Sequence, residues 1–199
     1  MKKLFITAGA SLMLATTATS QTTWKVDASH SKLRFAVTHM MVAETEGKFK
    51  VFDGQALSKS DMDFTNAAIT FSADAASIDT DDEKRDAHLR SPDFFDTDKH
   101  PYISFKSTSM KPTGKGKTAY ELEGDLTMHG VTKKVKLLAI GAAQTVKDPY
   151  GNTKYGFRVT GKLNRKDFGL AWNSVLEAGG VAVGEEVDLA LSIELNKAG

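Results

Sequence analysis

Five histidines, His30, His39, His88, His100 and His129, are the first residues to weigh as catalysts or metal ligands. Imidazole titrates near neutrality and is the commonest metal ligand. No two of the five stand at the short separations that put two ligands on one face of a strand or helix, so their spacing points to no metal site. This leaves open only a site built from distant strands and makes structural histidines the expected reading. The stretch "GDLTMHGVTKKVKL", Gly124 to Leu137, sets His129 beside a glycine and ahead of three lysines, a composition that an acid–base or anion-binding centre could use. Nucleophile signatures are missing: there is no G-x-S-x-G elbow, no S-x-x-K with its partner motifs and no H-E-x-x-H. The glycines of "GGVAVGEE", from Gly179, precede a strand pattern, whereas a phosphate cradle needs a helix N-terminus. No catalytic residue is assigned on these grounds.

The elements that must position these residues change the reading of that stretch. If His129 and Gly130 are the central pair of a tight hairpin, counting outward sets Met128 opposite Val131, Thr127 opposite Thr132, Asp125 opposite Lys134, Glu123 opposite Lys136 and Leu122 opposite Leu137. Opposite charges then face each other and threonine meets threonine, the pattern of a stabilised antiparallel ladder. Only Leu126 against Lys133 fits poorly, which places Lys133 at a rim. The lysines become partners of acids on the preceding strand, and the histidine becomes a turn residue.

Period-2 alternation runs through most of the chain. It puts Val187, Leu189, Leu191, Ile193 and Leu195 on one face, and likewise Tyr155, Phe157, Val159 and Leu163. Shorter runs do the same for Leu33, Phe35 and Val37, for Ala67, Ile69 and Phe71, and for Ile103 and Phe105. His39 continues the parity of Val37 and points inward at a strand end, where a hydrogen-bonded rim histidine is the expected role. Turns are predicted at "DG" from Asp53, "KPTGKGK" from Lys111, "DPYGN" from Asp148 and "EAGG" from Glu177. One segment, "TDDEKRDAHLR", reads as a solvated helix on a connection, capped by Thr80 with Glu83 three residues on and stopped by Pro92. About eight strands with one apolar face must close that face on itself, as a barrel or, less favoured, a sandwich. Small inward residues, Ala67, Gly124, Ala139 and Gly161, are expected to leave room for a ligand.

Composition limits what could enter such a barrel. Lys2 and Lys3, the apolar run Leu4 to Ala15 and the small residues up to Ser20 identify residues 1–20 as a secretory signal peptide, leaving 21–199 as one domain. Without Lys2 and Lys3 the 26 Lys and Arg fall to 24 against 25 Asp and Glu, a balance that argues against a nucleic-acid partner. Cysteine is absent, which excludes disulfides and thiolate metal sites, and no later run is long and apolar enough to be an integral membrane segment. A periplasmic or secreted location follows from the signal peptide.

In order along the chain, "WKVDASHSKLRFAVTHMMVAETEGKF", "HLRSPDFFDTDKHPYISFKST", "GDLTMHGVTKKVKL", "NRKDFGLAW" and "VGEEVDLALSIEL" resemble the YceI-like family of bacterial secreted polyisoprenoid-binding proteins, over roughly Thr23 to Leu195. Lys134 departs from the pattern, since many members carry proline there. The resemblance implies a lipocalin-like, eight-stranded antiparallel β-barrel with one short helix on a connection. It also implies an isoprenoid or other long-chain lipid as ligand in place of a cofactor, carriage or sequestration in the periplasm, links to stress tolerance, homodimers and no catalysis. The expected cavity lining is Leu33, Phe35, Val37, Ile69, Phe71, Ile103, Phe105, Leu122, Leu126, Val135, Leu137, Phe157, Val159, Leu163, Leu189 and Leu191. Two other readings compete with a lipid-binding barrel: an enzyme on a hydrophobic substrate using His39 or His129, and a filled barrel whose surface binds another protein.

Overall fold

The computed structural model describes residues 21–114, 118–177 and 179–198. The segment 1–20 expected to be a signal peptide, residues 115–117 at the end of the turn predicted from Lys111, and Ala178 of the turn predicted from Glu177 lie outside the described residues. Twelve strands occur among those described, in chain order β1 Thr22–Val26, β2 Lys32–His39, β3 Ala43–Phe49, β4 Phe52–Ser58, β5 Ala68–Asp74, β6 Ile78–Asp79, β7 Tyr102–Pro112, β8 Ala119–Met128, β9 Val131–Gly141, β10 Val146–Lys147, β11 Thr153–Asn164 and β12 Val183–Lys197. One helix, α1 Glu83–Arg90, interrupts them.

The twelve reduce to eight staves. Both β1 and β2 run antiparallel to β12, with Val26 opposite Leu195 and Lys32 opposite Ser192, so they form one stave broken by residues 27–31. In the same way β3 continues into β4 across residues 50–51, β5 into β6 across the 3₁₀ turn Ala75–Ser77, and β9 into β10, both antiparallel to β11, across residues 142–145. The breaks are stitched together, since Ser77 Oγ accepts the Val51 amide at 3.1 Å and donates to the Asp74 carbonyl at 2.6 Å. Neighbouring staves are consecutive in the chain, and β12 closes the ring by pairing with β11 on one edge and with β1 and β2 on the other. The fold is an eight-stranded, closed antiparallel barrel, and closure removes the exposed edges that an open sheet would carry.

The hairpin follows the predicted register. His129 and Gly130 have φ of 51° and 74°, the two left-handed residues of a type I′ turn, and each strand pair from Met128–Val131 to Leu122–Leu137 is as counted from sequence. Lys134 Nζ reaches Asp125 at 3.0 Å, Lys136 reaches Glu123 at 2.6 Å, and the Thr127 and Thr132 hydroxyls are 2.8 Å apart.

Three expectations are corrected. Asp53–Gly54 is no turn but part of β4, and the chain bends just before it; a Cβ at Gly54 would lie 2.8 Å from the Phe71 ring, so the glycine makes room inside the barrel. The cap of α1 is Asp82, whose carboxylate accepts the Arg85 amide at 2.9 Å. Thr80 instead gives both its amide and hydroxyl to Asp86, at 2.9 and 2.6 Å, and Asp86 is buried, so α1 is anchored to the barrel and not simply solvated. Finally, Gly124 and Gly161 leave no space for a ligand. The Phe105 ring and the Leu137 side chain occupy the places where their Cβ atoms would sit.

Candidate functional site

The inner faces of the staves surround an apolar cavity of about 190 Å³. It exists because the two ends of the barrel are closed by different means, leaving the middle unfilled. At one end Trp24, Phe64, Tyr155 and Phe157 form a plug, with the Phe64 ring 5.0 Å from Tyr155 and 4.8 Å from Phe157. Trp24 and Phe64 are fully buried, and the polar atoms of the plug are bound: Trp24 Nε1 donates to Ser58 Oγ at 2.9 Å and Tyr155 Oη to the Ala142 carbonyl at 2.8 Å. Burial pushes the Tyr155 and Tyr120 hydroxyls up from the ordinary tyrosine range.

At the other end two segments lie across the mouth. Residues 91–100, after α1, contribute Phe94 and Phe95, and the 3₁₀ turn Arg165–Phe168 with Leu170 contributes the rest. Phe95 meets Phe49 edge-on at 5.8 Å, and His88, Phe94 and Trp172 pack together with ring centroids 4.8–5.3 Å apart. Beneath this cover lies a second compartment of about 110 Å³, which shares Phe49, Met128, Leu163 and Leu189 with the first.

Fourteen of the sixteen residues expected to line a cavity do line the larger compartment: Leu33 of β2, Ile69 and Phe71 of β5, Ile103 and Phe105 of β7, Leu122 and Leu126 of β8, Val135 and Leu137 of β9, Phe157, Val159 and Leu163 of β11, and Leu189 and Leu191 of β12. The other two, Phe35 and Val37, line the smaller one. Many of these inward residues, such as Leu33, Phe105 and Leu191, are only half-buried although they face the interior, because the lumen is not packed against them. Of the small inward residues, Ala139 lines the cavity and Ala67 does not.

Sequence reasoning missed Met110, Met128 and Phe49, which also line the larger compartment, and Phe64, which reaches it from the connection between β4 and β5. It also missed Arg165, the only charged residue lining either compartment among the described residues. Arg165 is 4% exposed and donates to the carbonyls of Gly184 at 2.7 Å, Leu170 at 2.5 Å, Trp172 at 2.9 Å and Val183 at 3.2 Å. Burial pulls its pKa down, while four carbonyl partners replace the water it has lost. Neither His39 nor His129 lines a compartment: His39 ends β2, and His129 turns the hairpin outside the wall.

Outside the barrel, where β1 breaks, Lys154 Nζ lies 2.9 Å from both Asp27 and Glu194. The Ser29 hydroxyl, then Lys154, hold the Asp27 carboxyl far below the usual range, and Glu194 and Asp27 raise Lys154. This network ties the start of β11 to the break between β1 and β2.

The model of the YceI-like domain matches residues 24–195. The chain belongs to the YceI-like family. A UPF0312 protein of Vibrio cholerae is 35% identical over 175 residues, covering 85% of this chain and 89% of that one. Among solved structures, Burkholderia cenocepacia BcnA superposes with a TM-score of 0.70 at 22% identity, over 85% of this chain and 98% of that one. A polyisoprenoid binding domain from Saccharophagus degradans, implicated in plant cell wall breakdown, gives 0.62 at 14% identity, over 88% and 98%. These two likenesses establish the shared barrel, and the YceI-like match spans every stave of it.

Proposed function

We propose that this YceI-like barrel is an exported binding protein that holds an isoprenoid or other long-chain amphiphile in its lumen, for transport, storage or sequestration, and that it is not an enzyme. The observation that carries the reading is the continuous apolar wall of the larger compartment, in which Gln55, Thr70 and Ser104 are the only polar residues among the described lining. The polyisoprenoid binding domain of Saccharophagus degradans, on the same fold, supports it. A charged or polar ligand would lose its hydration in such a lumen with little in return.

Magnitudes favour a long chain. Burying ten methylenes is worth roughly 8 kcal/mol, while association costs about 4–15 kcal/mol, so a ten-carbon tail does little more than break even. Ligand pockets usually measure about 300–1,000 Å³, and a tail of several isoprene units therefore needs both compartments, with Met128 and Leu163 moving from between them. The tail then lies toward the plug and the polar end under the cover, near Arg165. Entry is at the cover end, where Met40, Met41 and Val42 form an exposed apolar lip that is 46%, 66% and 87% accessible.

Titration of delipidated protein with an isoprenoid quinone, followed through tyrosine and tryptophan fluorescence, tests the reading. Saturable binding that tightens as isoprene units are added supports it. Affinity independent of tail length overturns it.

A further inference from the structure

Three potential metal ligands converge at the cover end, outside the lumen. Asp96, His100 and His129 offer one carboxylate oxygen and two ring nitrogens that all lie within 4.8 Å of one another. Asp96 is 8% exposed, and both imidazoles are half-buried, open to solvent on one side.

Each ligand is positioned by its own backbone. Asp96 adopts φ 45°, and its carbonyl accepts the amides of Lys99 at 3.0 Å and His100 at 2.8 Å, a tight turn that folds His100 back over the carboxylate. His129 is held in the left-handed region by the type I′ turn. Gly130 beside it leaves room for the His100 ring, whose Cε1 would lie 2.7 Å from a Cβ there. The two rings stand 5.0 Å apart at 79°. His129 Nδ1 faces the Phe168 carbonyl at 3.2 Å. With Nδ1–H donated to that carbonyl, Nε2 keeps its lone pair, the arrangement in which metal-bound histidines are generally oriented.

In a second cluster, Asp27, His30 and Glu194, the ligand atoms also lie within 4.8 Å of one another, but it already holds a cation, the Lys154 ammonium at 2.9 Å from each carboxylate. Asp96 differs. Its only ion-pair partner among the described residues is Lys99, at 2.8 Å, whose side chain is 72% exposed and free to swing into water.

From this geometry we propose that Asp96, His100 and His129 bind a divalent transition metal of the zinc class, with water in a fourth position. Two imidazoles and a carboxylate suit Zn²⁺, Ni²⁺ or Cu²⁺ better than the hard cations, which prefer oxygen. Tetrahedral bonds of about 2.0–2.1 Å bring ligand atoms to about 3.3 Å apart, so the site closes by small side-chain rotations. The ion ties the 91–100 cover segment to the β8–β9 hairpin, beside Phe95 and Met128, which line the lumen.

The test is calorimetric titration of the chain, without a histidine tag and stripped by chelator, with zinc chloride. One equivalent binds the wild type. His100→Asn and His129→Asn each weaken binding by about 10-fold or more, asparagine being chosen at 129 because it tolerates positive φ. His30→Ala leaves the affinity unchanged. Zinc also raises the thermal midpoint of the wild type but not of the double asparagine variant. On the wild-type protein alone, the imidazole nitrogen resonances of His100 and His129 move on adding zinc, while those of His30, His39 and His88 do not, a readout that survives misfolding of any variant. The proposal is overturned by absence of zinc binding to the wild type, by binding that persists in the folded double variant, by loss of binding in folded His30→Ala, or by movement of other histidine resonances in place of these two.

Discussion

The two ends of the barrel are both aromatic, yet they are built differently. The plug comes mostly from the strands themselves: Trp24 lies on β1, Tyr155 and Phe157 on β11, and only Phe64 on a connection, its backbone amide facing Tyr120 Oη at 3.4 Å. The cover is made of connections laid over the mouth, and an exposed apolar lip at Met40 to Val42 stands beside it. Rings fixed by a sheet cannot leave without breaking it. Rings carried by loops can move while the sheet stays intact. The difference assigns stability to one end and, on the proposed lipid-binding reading, ligand traffic to the other.

Breaking the plug is expected to have the largest effect. Trp24→Ala removes a fully buried indole and its bond to Ser58, and about 3–5 kcal/mol of stability should be lost in urea unfolding. The lumen between the two ends comes next: Leu137→Trp places a larger ring in the cavity wall, with an expected cost of about 1–3 kcal/mol from overpacking. Quinone affinity should fall at least tenfold, measured by the same fluorescence titration.

The ion network at the broken stave sharpens the account of the plug end through pH. Because the folded Asp27 carboxyl is held low, its contribution is present above the unfolded carboxylate value of about 3.9 and is lost as pH falls below it toward the folded value. Lys154, being raised, contributes below the unfolded lysine value of about 10.4 and loses that contribution as pH rises beyond it toward its folded value. Lys154→Met should therefore lower the thermal midpoint most at neutral pH, and its difference from wild type should shrink as pH drops below about 4.

Surface changes should matter least to stability. Lys134→Ala at the hairpin breaks an exposed pair with Asp125, worth about 0.2–1 kcal/mol and weakened by salt in a comparison of unfolding at low and high ionic strength. Met41→Ser at the lip, 66% exposed, should cost less than about 0.5 kcal/mol while slowing uptake of an isoprenoid quinone from vesicles. Equal destabilisation by Met41→Ser and Trp24→Ala would erase the contrast between the ends.

Much of this molecule was legible in its residues because the strand period is 2 and one face is buried. Alternation in runs such as Val187, Leu189 and Leu191 or Phe157 and Val159 put the right residues inward, and the charge complementarity of Asp125–Lys134 and Glu123–Lys136 fixed the hairpin register. What stayed hidden depended on three dimensions. The glycines looked like vacancies, but cross-strand neighbours lean into them, as Phe105 does at Gly124. Asp53–Gly54 had turn composition yet lies within a strand, since the bend was set just before it, at a seam stitched by Ser77. No local pattern singles out Arg165, and only the packing of the 165–172 segment over the mouth buries it among four carbonyls. Asp96, His100 and His129 met through two separate turns that no local spacing joins.

The central claim is that the lumen belongs to a lipid, and the most direct measurement is organic extraction of protein purified under native conditions, followed by mass spectrometry. A stoichiometric long-chain, apolar molecule, retained by wild type and missing from Leu137→Trp, is the predicted result. Extracts that contain no such molecule, together with failure of the stripped protein to take up isoprenoid quinones or other long-chain lipids, would contradict it.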